Sequence, residues 1–581
     1  MDYLTTYNEW LSKVSDTEKK ELVKIIDNDK EKMERFSLPL EFGTAGMRGT
    51  IGLGTFRMNE YTVRRATQGL SNYINSLGKK AAKAGVVISY DTRHYSYEFA
   101  LAVARVLAYN KINSYLFEDV RPVPMCSFAI RYYKAVAGVM ITASHNPKEY
   151  NGYKVYGSDG AQMSPDATAK VVEYIEKIED YFGIPVDDVD SEGHLDIYGA
   201  DNEYINEYIK IIGETVDSEY FETISKLSLS EDAVRQEAAN LKIVYTPIHG
   251  AGYKPVVRIL EKMGIPVNIV EEQAEPDPDF STVIAPNPEN AGALELGIKL
   301  ADKLGADVVI GTDPDCDRMG VALRGEDNKF FLLTGNQIGA LLLDYILKRK
   351  TETNTLPNNA AAVKTIVTTS LARKIAVSYG IEIFDVLTGF KFIGEKIKEW
   401  ETDRSHTFIF GYEESFGYLA GTHSRDKDAV VSSMLFAEMV AYYKSIGSSI
   451  PKRLLELYAK FGYYIDKNIA ISYKGLDGMA KMADIMASLR TNKFDDIAGY
   501  KVKFSSDYKT STTVYEGGKE EKILLPSSDV LYYGLDGGDW VCVRPSGTEP
   551  KLKIYVSASH TIKADAEKKA QSLIDYMAKY L

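Results

Sequence analysis

The chain has 581 residues, 45% of them hydrophobic and 26% charged, which is the balance of a globular protein too long for one hydrophobic core, so about three to five domains are expected. A net charge of −13 excludes broad electrostatic attachment to nucleic acid or to an anionic membrane surface, so an anionic ligand must meet a local basic pocket. Three widely spaced cysteines, Cys126, Cys316 and Cys542, make no disulfide framework and fit buried filler in a reducing compartment.

In chain order, MDYLTTYNEWLSKVSDTEKKELVKII mixes acids and bases without a signal-peptide core and reads as one amphipathic helix. No later window approaches the roughly 18 apolar residues of a membrane span, so the expected location is cytoplasmic. GVVISY, the turn DTRHYS, YEFALAVARVLAYN and SYLFEDV give strand, turn, helix and strand. AGVMI then leads into TASHNP, which puts Ser144 just past the carboxyl end of a strand, where α/β folds place their ligands. A second α/β pattern runs from LKIVYTPIHGAG to ADVVIG and ends in TDPDCDR. A third runs from NQIGALLLDYILKRK to HTFIF and enters GYEES, while KRKTETNTLPNNAA reads as a flexible surface loop. From about Lys452 the pattern becomes α+β, with the turn RPSGTEP and a closing helix. The expected domains are 1–210, 211–330, 331–451 and 452–581.

Asp313, Asp315 and Asp317 stand at alternate positions, so in extended chain their carboxylates share one side. A divalent cation relieves their repulsion, and all-oxygen ligands favour magnesium first, with manganese or calcium as alternatives; the competing reading is a solvated acidic turn. Ser144 is either a helix cap or a nucleophile, and a serine that carries phosphoryl needs such a metal nearby. Arg544, Ser546, Gly547, Thr548 and Lys551 surround a turn that suits a dianionic phosphate, against the plainer reading of a hairpin with incidental bases. Glu413 and Ser415, two apart in GYEESFGY, suit sugar hydroxyls. Arg48 among the glycines of GTAGMRGTIG, and Thr388, Gly389 and Lys391 in LTGFK, are ambiguous on residues alone. His249 in TPIHGAG reads as a structural loop histidine.

Taken in order, GTAGMRG, TASHNP, GTDPDCDRMG, GYEESFGY and RPSGTEP resemble the signature loops of the α-D-phosphohexomutase superfamily, from about Phe42 to the end of the chain. TPIHG and LTGFK further resemble its phosphoglucomutase and phosphopentomutase branch. The resemblance implies an α/β fold of four domains in a heart-shaped arrangement, three related α/β domains and a C-terminal α+β domain, each giving one loop to the site. It implies that Ser144 is phosphorylated and completes one Mg2+ site with Asp313, Asp315 and Asp317. It places Arg48, His145, Lys154 and Lys391 among the charge-bearing and proton-transferring catalytic groups, and Arg318 with the same positive cluster. Thr388, Gly389, Glu413, Ser415, Arg544, Ser546, Gly547, Thr548 and Lys551 fall at substrate-binding positions.

The implied reaction interconverts glucose 1-phosphate and glucose 6-phosphate, with glucose 1,6-bisphosphate as intermediate and activator. The EES spelling favours glucose, while ribose, deoxyribose and mannose phosphates stay open. The rival classes are a phosphosugar phosphatase and a non-catalytic phosphosugar-binding protein. The expected partner is a small phosphosugar, with no nucleic acid and no membrane, and monomer or homodimer is open.

Overall fold

Ser15 divides the first helical segment. Its side chain accepts from the Glu18 amide while the Glu18 carboxylate accepts from the Ser15 amide, a reciprocal cap that starts a new helix. The single helix expected at this end is therefore two, Tyr3–Lys13 and Asp16–Val23, followed by a third, Asp29–Phe36. They bury Tyr7, Trp10, Leu22 and Phe36 in one aromatic-rich cluster. The computed structural model describes residues 2–43, 46–187, 204–473, 478–545 and 551–581.

By internal contact the chain forms two units. The first comprises Met1–Leu332, Ile397–Glu399 and Gly417–Ala441. Its larger sheet runs Met47–Thr50, Tyr150–Gly157, Ala137–Ile141, Val86–Tyr90, Ser114–Phe117, Ile209–Ile212 and Tyr204–Asn206. The central strands are parallel, and Val86–Tyr90 and Ala137–Ile141 are buried along their whole length. That explains why they read as unbroken apolar runs, since helices cover both faces of a parallel sheet. The second sheet runs Phe330–Leu332, Met319–Arg324, Val308–Thr312, Ile243–Thr246 and Val267–Ile269. Its fully buried strand Val308–Thr312 delivers the aspartate loop. Both chemistry-bearing loops thus leave the carboxyl ends of buried parallel strands.

The second unit comprises Leu333–Lys396, Trp400–Phe416 and Tyr442–Leu581. Strand Ala360–Thr365 lies between the parallel strands Glu382–Val386 and Thr407–Glu413. The helix Gly335–Glu352 runs into the stretch read as a loop from Lys348. Lys348 and Arg349 pair with Glu352 at 2.8 and 2.5 Å, side-chain pairs that favour one more helical turn. The C-terminal part is an eight-stranded antiparallel sheet that includes Tyr463–Ser472, Trp540–Pro545 and Lys551–His560. The helices Gly478–Thr491 and Lys563–Ala578 supply Met482, Met486, Leu573 and Met577 to its core. Among the described residues no helix is long and apolar enough to cross a membrane, and the three cysteines are free and buried.

Candidate active site

Ser144 lies three residues past the strand Ala137–Ile141 and is 3% exposed. Its φ is 52°, a left-handed conformation that costs a non-glycine residue about 1–2 kcal/mol. The Ser144 amide donates to Thr142 Oγ1 at 2.8 Å, and its carbonyl accepts from Arg93. The hydroxyl is thereby turned toward the second sheet, where it donates to Asp313 Oδ2 at 2.8 Å. His145 Nδ1 is 3.1 Å from the same Oγ.

The three aspartates converge, but through a turn rather than the extended chain that their alternate spacing assumed: the Cys316 amide donates to Asp313 O at 2.9 Å and Cys316 has a φ of 49°. One carboxylate oxygen from each lies within 4.8 Å of the others, and all three side chains are buried. Asp313 Oδ1 accepts from the amides of Asp317 and Arg318. Asp315 Oδ2 accepts from Lys154 Nζ at 2.8 Å and from Thr142 Oγ1 at 3.2 Å. Asp317 Oδ2 lies 3.1 Å from Lys427 Nζ and 3.7 Å from Lys154 Nζ. Burial, and then the charges of Asp315 and Asp317, push the Asp313 carboxyl well above the usual carboxylate range. Burial and Asp315 raise Asp317 against the pull of Lys427. At Asp315 burial acts upward, but Lys154 prevails and holds the group below its ordinary value.

Asp315 Oδ1 and Asp317 Oδ1 are buried and accept no hydrogen bond among the described residues. Unsatisfied buried carboxylate oxygens beside two further acidic groups are costly, and a hard divalent cation with oxygen ligands removes that cost. The residues therefore fit magnesium, and the reading as a solvated turn fails because the group has no access to solvent.

Other expected site residues fall as follows. Arg48, on the strand Met47–Thr50, is exposed and donates to Asn146 Oδ1 at 3.2 Å, in the Ser144 loop. Burial, and then the charges of Arg318 and Arg48, hold the His145 imidazole well below its ordinary pKa, so it is neutral near pH 7. Arg318 donates to Glu289 Oε1 at 2.7 Å. His249 is held by Glu275 O and Thr282 Oγ1 at 3.1 and 2.9 Å, the structural role read from the sequence.

In the second unit, the Gly389 amide donates to Glu413 Oε1 at 2.9 Å, so the LTGFK and GYEES loops are fastened together. Thr388 and Ser415 are half-buried beside them. Burial lowers the Lys391 ammonium from its ordinary value. Arg544 and Lys551 are on antiparallel strands that flank the expected phosphate turn, while Ser546, Gly547 and Thr548 lie outside the described residues.

Lys427 and Arg93 were not singled out in the sequence. Lys427 belongs to His423–Asp428, six consecutive buried polar residues, and Asp426 Oδ1 holds its Nζ at 3.1 Å. Gly417 has no room for a side chain, because a Cβ there would meet Lys427 Cδ at 2.0 Å. The readable signal was a run of six polar residues, HSRDKD, placed immediately before the apolar helix Ala429–Ser445. Polar clusters in such a setting are buried only with partners.

A buried serine hydroxyl beside three carboxylates that could hold a cation fits a metal-assisted phosphotransferase. The chain belongs to the phosphoglucomutase/phosphomannomutase family: residues 39–182, 218–326 and 334–461 match its alpha/beta/alpha domains I, II and III, and 493–571 match its C-terminal domain. The chain is similar to a phosphoglucomutase of Staphylococcus epidermidis, 38% identical over 557 residues, covering 95% of this chain and 96% of the relative. A Staphylococcus aureus phosphoglucomutase is 36% identical over 570 residues, covering 97% and 98%. The fold is also that of parafusin, an exocytosis-sensitive phosphoprotein (phosphoglucomutase) from Paramecium solved in an open form. That match has a TM-score of 0.68 at 19% identity and covers 93% of this chain and 95% of the other.

Proposed function

We propose that this chain is a magnesium-dependent phosphoglucomutase that interconverts α-D-glucose 1-phosphate and glucose 6-phosphate through a phosphoserine at Ser144 and a glucose 1,6-bisphosphate intermediate. The observation that carries this reading is the 2.8 Å contact between Ser144 Oγ and Asp313 Oδ2, at the edge of a buried triad with unsatisfied oxygens. The named relatives, 36–38% identical over nearly the whole chain, support glucose as the sugar.

Asp313, Asp315, Asp317 and phosphorylated Ser144 would hold magnesium, which would supply positive charge to the phosphoryl oxygens. In the forward direction the P–O bond at Ser144 Oγ breaks as a bond forms from phosphorus to O6 of glucose 1-phosphate, and the proton that the 6-hydroxyl gives up ends on Ser144 Oγ. After the bisphosphate turns over, Ser144 Oγ takes the phosphoryl from O1, and O1 gains a proton. The neutral His145 imidazole, with Nδ1 3.1 Å from Ser144 Oγ, can receive the serine proton in that second transfer. Lys154, 2.8 Å from Asp315 Oδ2, holds that carboxylate in its ionised form. Burial of Ser144 keeps water from competing with the sugar hydroxyl.

For the remaining residues we assign Arg48 and Lys391 to charge stabilisation. Arg318, Thr388, Gly389, Glu413 and Ser415 take the sugar, and Arg544, Ser546, Gly547, Thr548 and Lys551 take the phosphate that is not transferred. The proposed domains are 1–210, 211–330, 331–451 and 452–581, and the proposed location is the cytoplasm.

A coupled assay of glucose 6-phosphate formation with magnesium and trace bisphosphate tests the reading, with mannose, ribose and deoxyribose 1-phosphates in parallel. Turnover of glucose 1-phosphate without release of inorganic phosphate is expected. Stoichiometric phosphate release would instead make the protein a phosphatase, and a higher kcat/KM on a pentose phosphate would move it to that branch.

A further inference from the structure

Arg93 is 3% exposed, and its guanidinium donates to the backbone of the serine loop. One of its terminal nitrogens donates to the carbonyls of Ser144 and Asn146, each at 2.5 Å. The other donates to those of Pro147 and Tyr150 at 2.9 and 3.1 Å. All four outer N–H bonds of the guanidinium are therefore spent on one seven-residue turn. The fork is itself fixed on the remaining sides. Asp91 Oδ1 accepts from the Arg93 amide at 3.0 Å and from Ser96 Oγ at 2.7 Å, and Asp91 Oδ2 lies 3.3 Å from Arg93 Nε. The Phe280 ring lies 5.1 Å from the guanidinium carbon. Phe280 in turn belongs to the Glu275–Thr282 segment that His249 fastens at both ends.

We propose that Arg93 is the positioning residue that keeps Ser144 in its left-handed conformation with the hydroxyl against the aspartate triad, by gripping the nucleophile's own carbonyl and three more of its loop. The inference rests on Ser144 being the phosphoryl carrier. Thr142 holds the amide of Ser144 and Arg93 holds its carbonyl, so φ and ψ of the nucleophile are fixed from opposite ends. A lysine has three donors around a single point and cannot span four carbonyls, so charge alone does not replace the planar fork. Because the grip is on backbone carbonyls of the serine loop, its loss acts on the placement of Oγ, and so on kcat more than on KM.

The test uses purified full-length Arg93→Ala and Arg93→Lys proteins, checked for folding by circular dichroism and thermal unfolding. On glucose 1-phosphate, kcat is expected to fall about 100-fold in both with KM within about twofold of wild type. Millimolar guanidinium should restore Arg93→Ala at least about tenfold and leave the wild type and Arg93→Lys unchanged. A folded variant that keeps native kcat, or one that raises KM alone, overturns the inference. If Arg93→Ala does not fold, Arg93→Lys and Phe280→Leu, which removes the ring behind the fork, carry the same expectations and the same overturning results. A crystal structure of Arg93→Lys gives a readout apart from activity: Ser144 should leave positive φ, and a loop unchanged from wild type refutes the positioning role. Wild-type protein inactive on every phosphosugar counts against the functional reading, while active wild type with an equally active variant counts against this inference alone.

Discussion

At Ser144 the backbone and the side chain have separate tasks: Thr142 and Arg93 hold the peptide, and Oγ is left to face Asp313. Ser144→Ala should keep the fold but lose turnover, together with the added mass of about 80 Da that a phosphorylated serine gives on intact-protein mass spectrometry; near-native activity would contradict the carrier role. Lys427 neutralises Asp317 and Asp426, both buried. Lys427→Met removes one partner of a buried ion pair, at a cost of about 3 kcal/mol, so the thermal midpoint should drop more without magnesium than with it. An equal drop under both conditions would separate Lys427 from the cation site. Glu414 gives a pH dependence. Burial, and then the charge of Glu413, raise its carboxyl from 4.5 to about 7. The folded value exceeds the unfolded one, so its stabilising contribution is complete below about 4.5 and is lost as pH rises through about 7. The thermal midpoint of Glu414→Gln should therefore vary less than that of wild type between these limits, and identical slopes would rule out this titration.

Among the elements, the loop that carries the aspartates is braced by the segment after strand Ile243–Thr246. The Ala251 amide donates to Pro314 O at 2.8 Å, and a Cβ on Gly250 would come within 2.6 Å of Pro314 Cα. Gly250→Ala should cost about 1–3 kcal/mol and raise the magnesium concentration for half-maximal activity; an unchanged requirement would show that the brace does not set the carboxylates. The strands that deliver both loops were legible in the sequence, because buried parallel strands are unbroken apolar runs that end at turn residues. The grouping of the carboxylates in TDPDCDR was legible but its cause was not: a turn through residues 314–316, with Cys316 at a φ of 49°, brings them together, and not the alternation of an extended chain. What escaped was tertiary: Arg93 meets carbonyls more than 50 positions later, and Lys427, besides its neighbour Asp426, pairs with the distant Asp317. No local pattern encodes either pairing. The left-handed backbone at Ser144 was hidden for a related reason, because nothing but its neighbours imposes it on a serine.

For the molecule as a whole, the four-domain order was readable from five ordered motifs, whereas the break at Ser15 and the extra helical turn at Lys348–Glu352 depended on side-chain pairs that fold-scale reasoning passes over. Chelation of magnesium should speed amide hydrogen exchange in and around residues 308–324, where strand and loop share the unneutralised carboxylates. Exchange in the strand Lys551–His560 should not change, and equal acceleration in both would mean that the cation acts globally. Ser144 and its aspartates belong wholly to the first unit, while Glu413, Ser415 and Arg544 belong to the second. Under the proposed assignment, sugar choice and phosphoryl carriage are therefore written in separate stretches of chain, so that exchanging the second unit's loops for those of a relative with another preference should redirect the substrate and leave the serine and its aspartates unaltered.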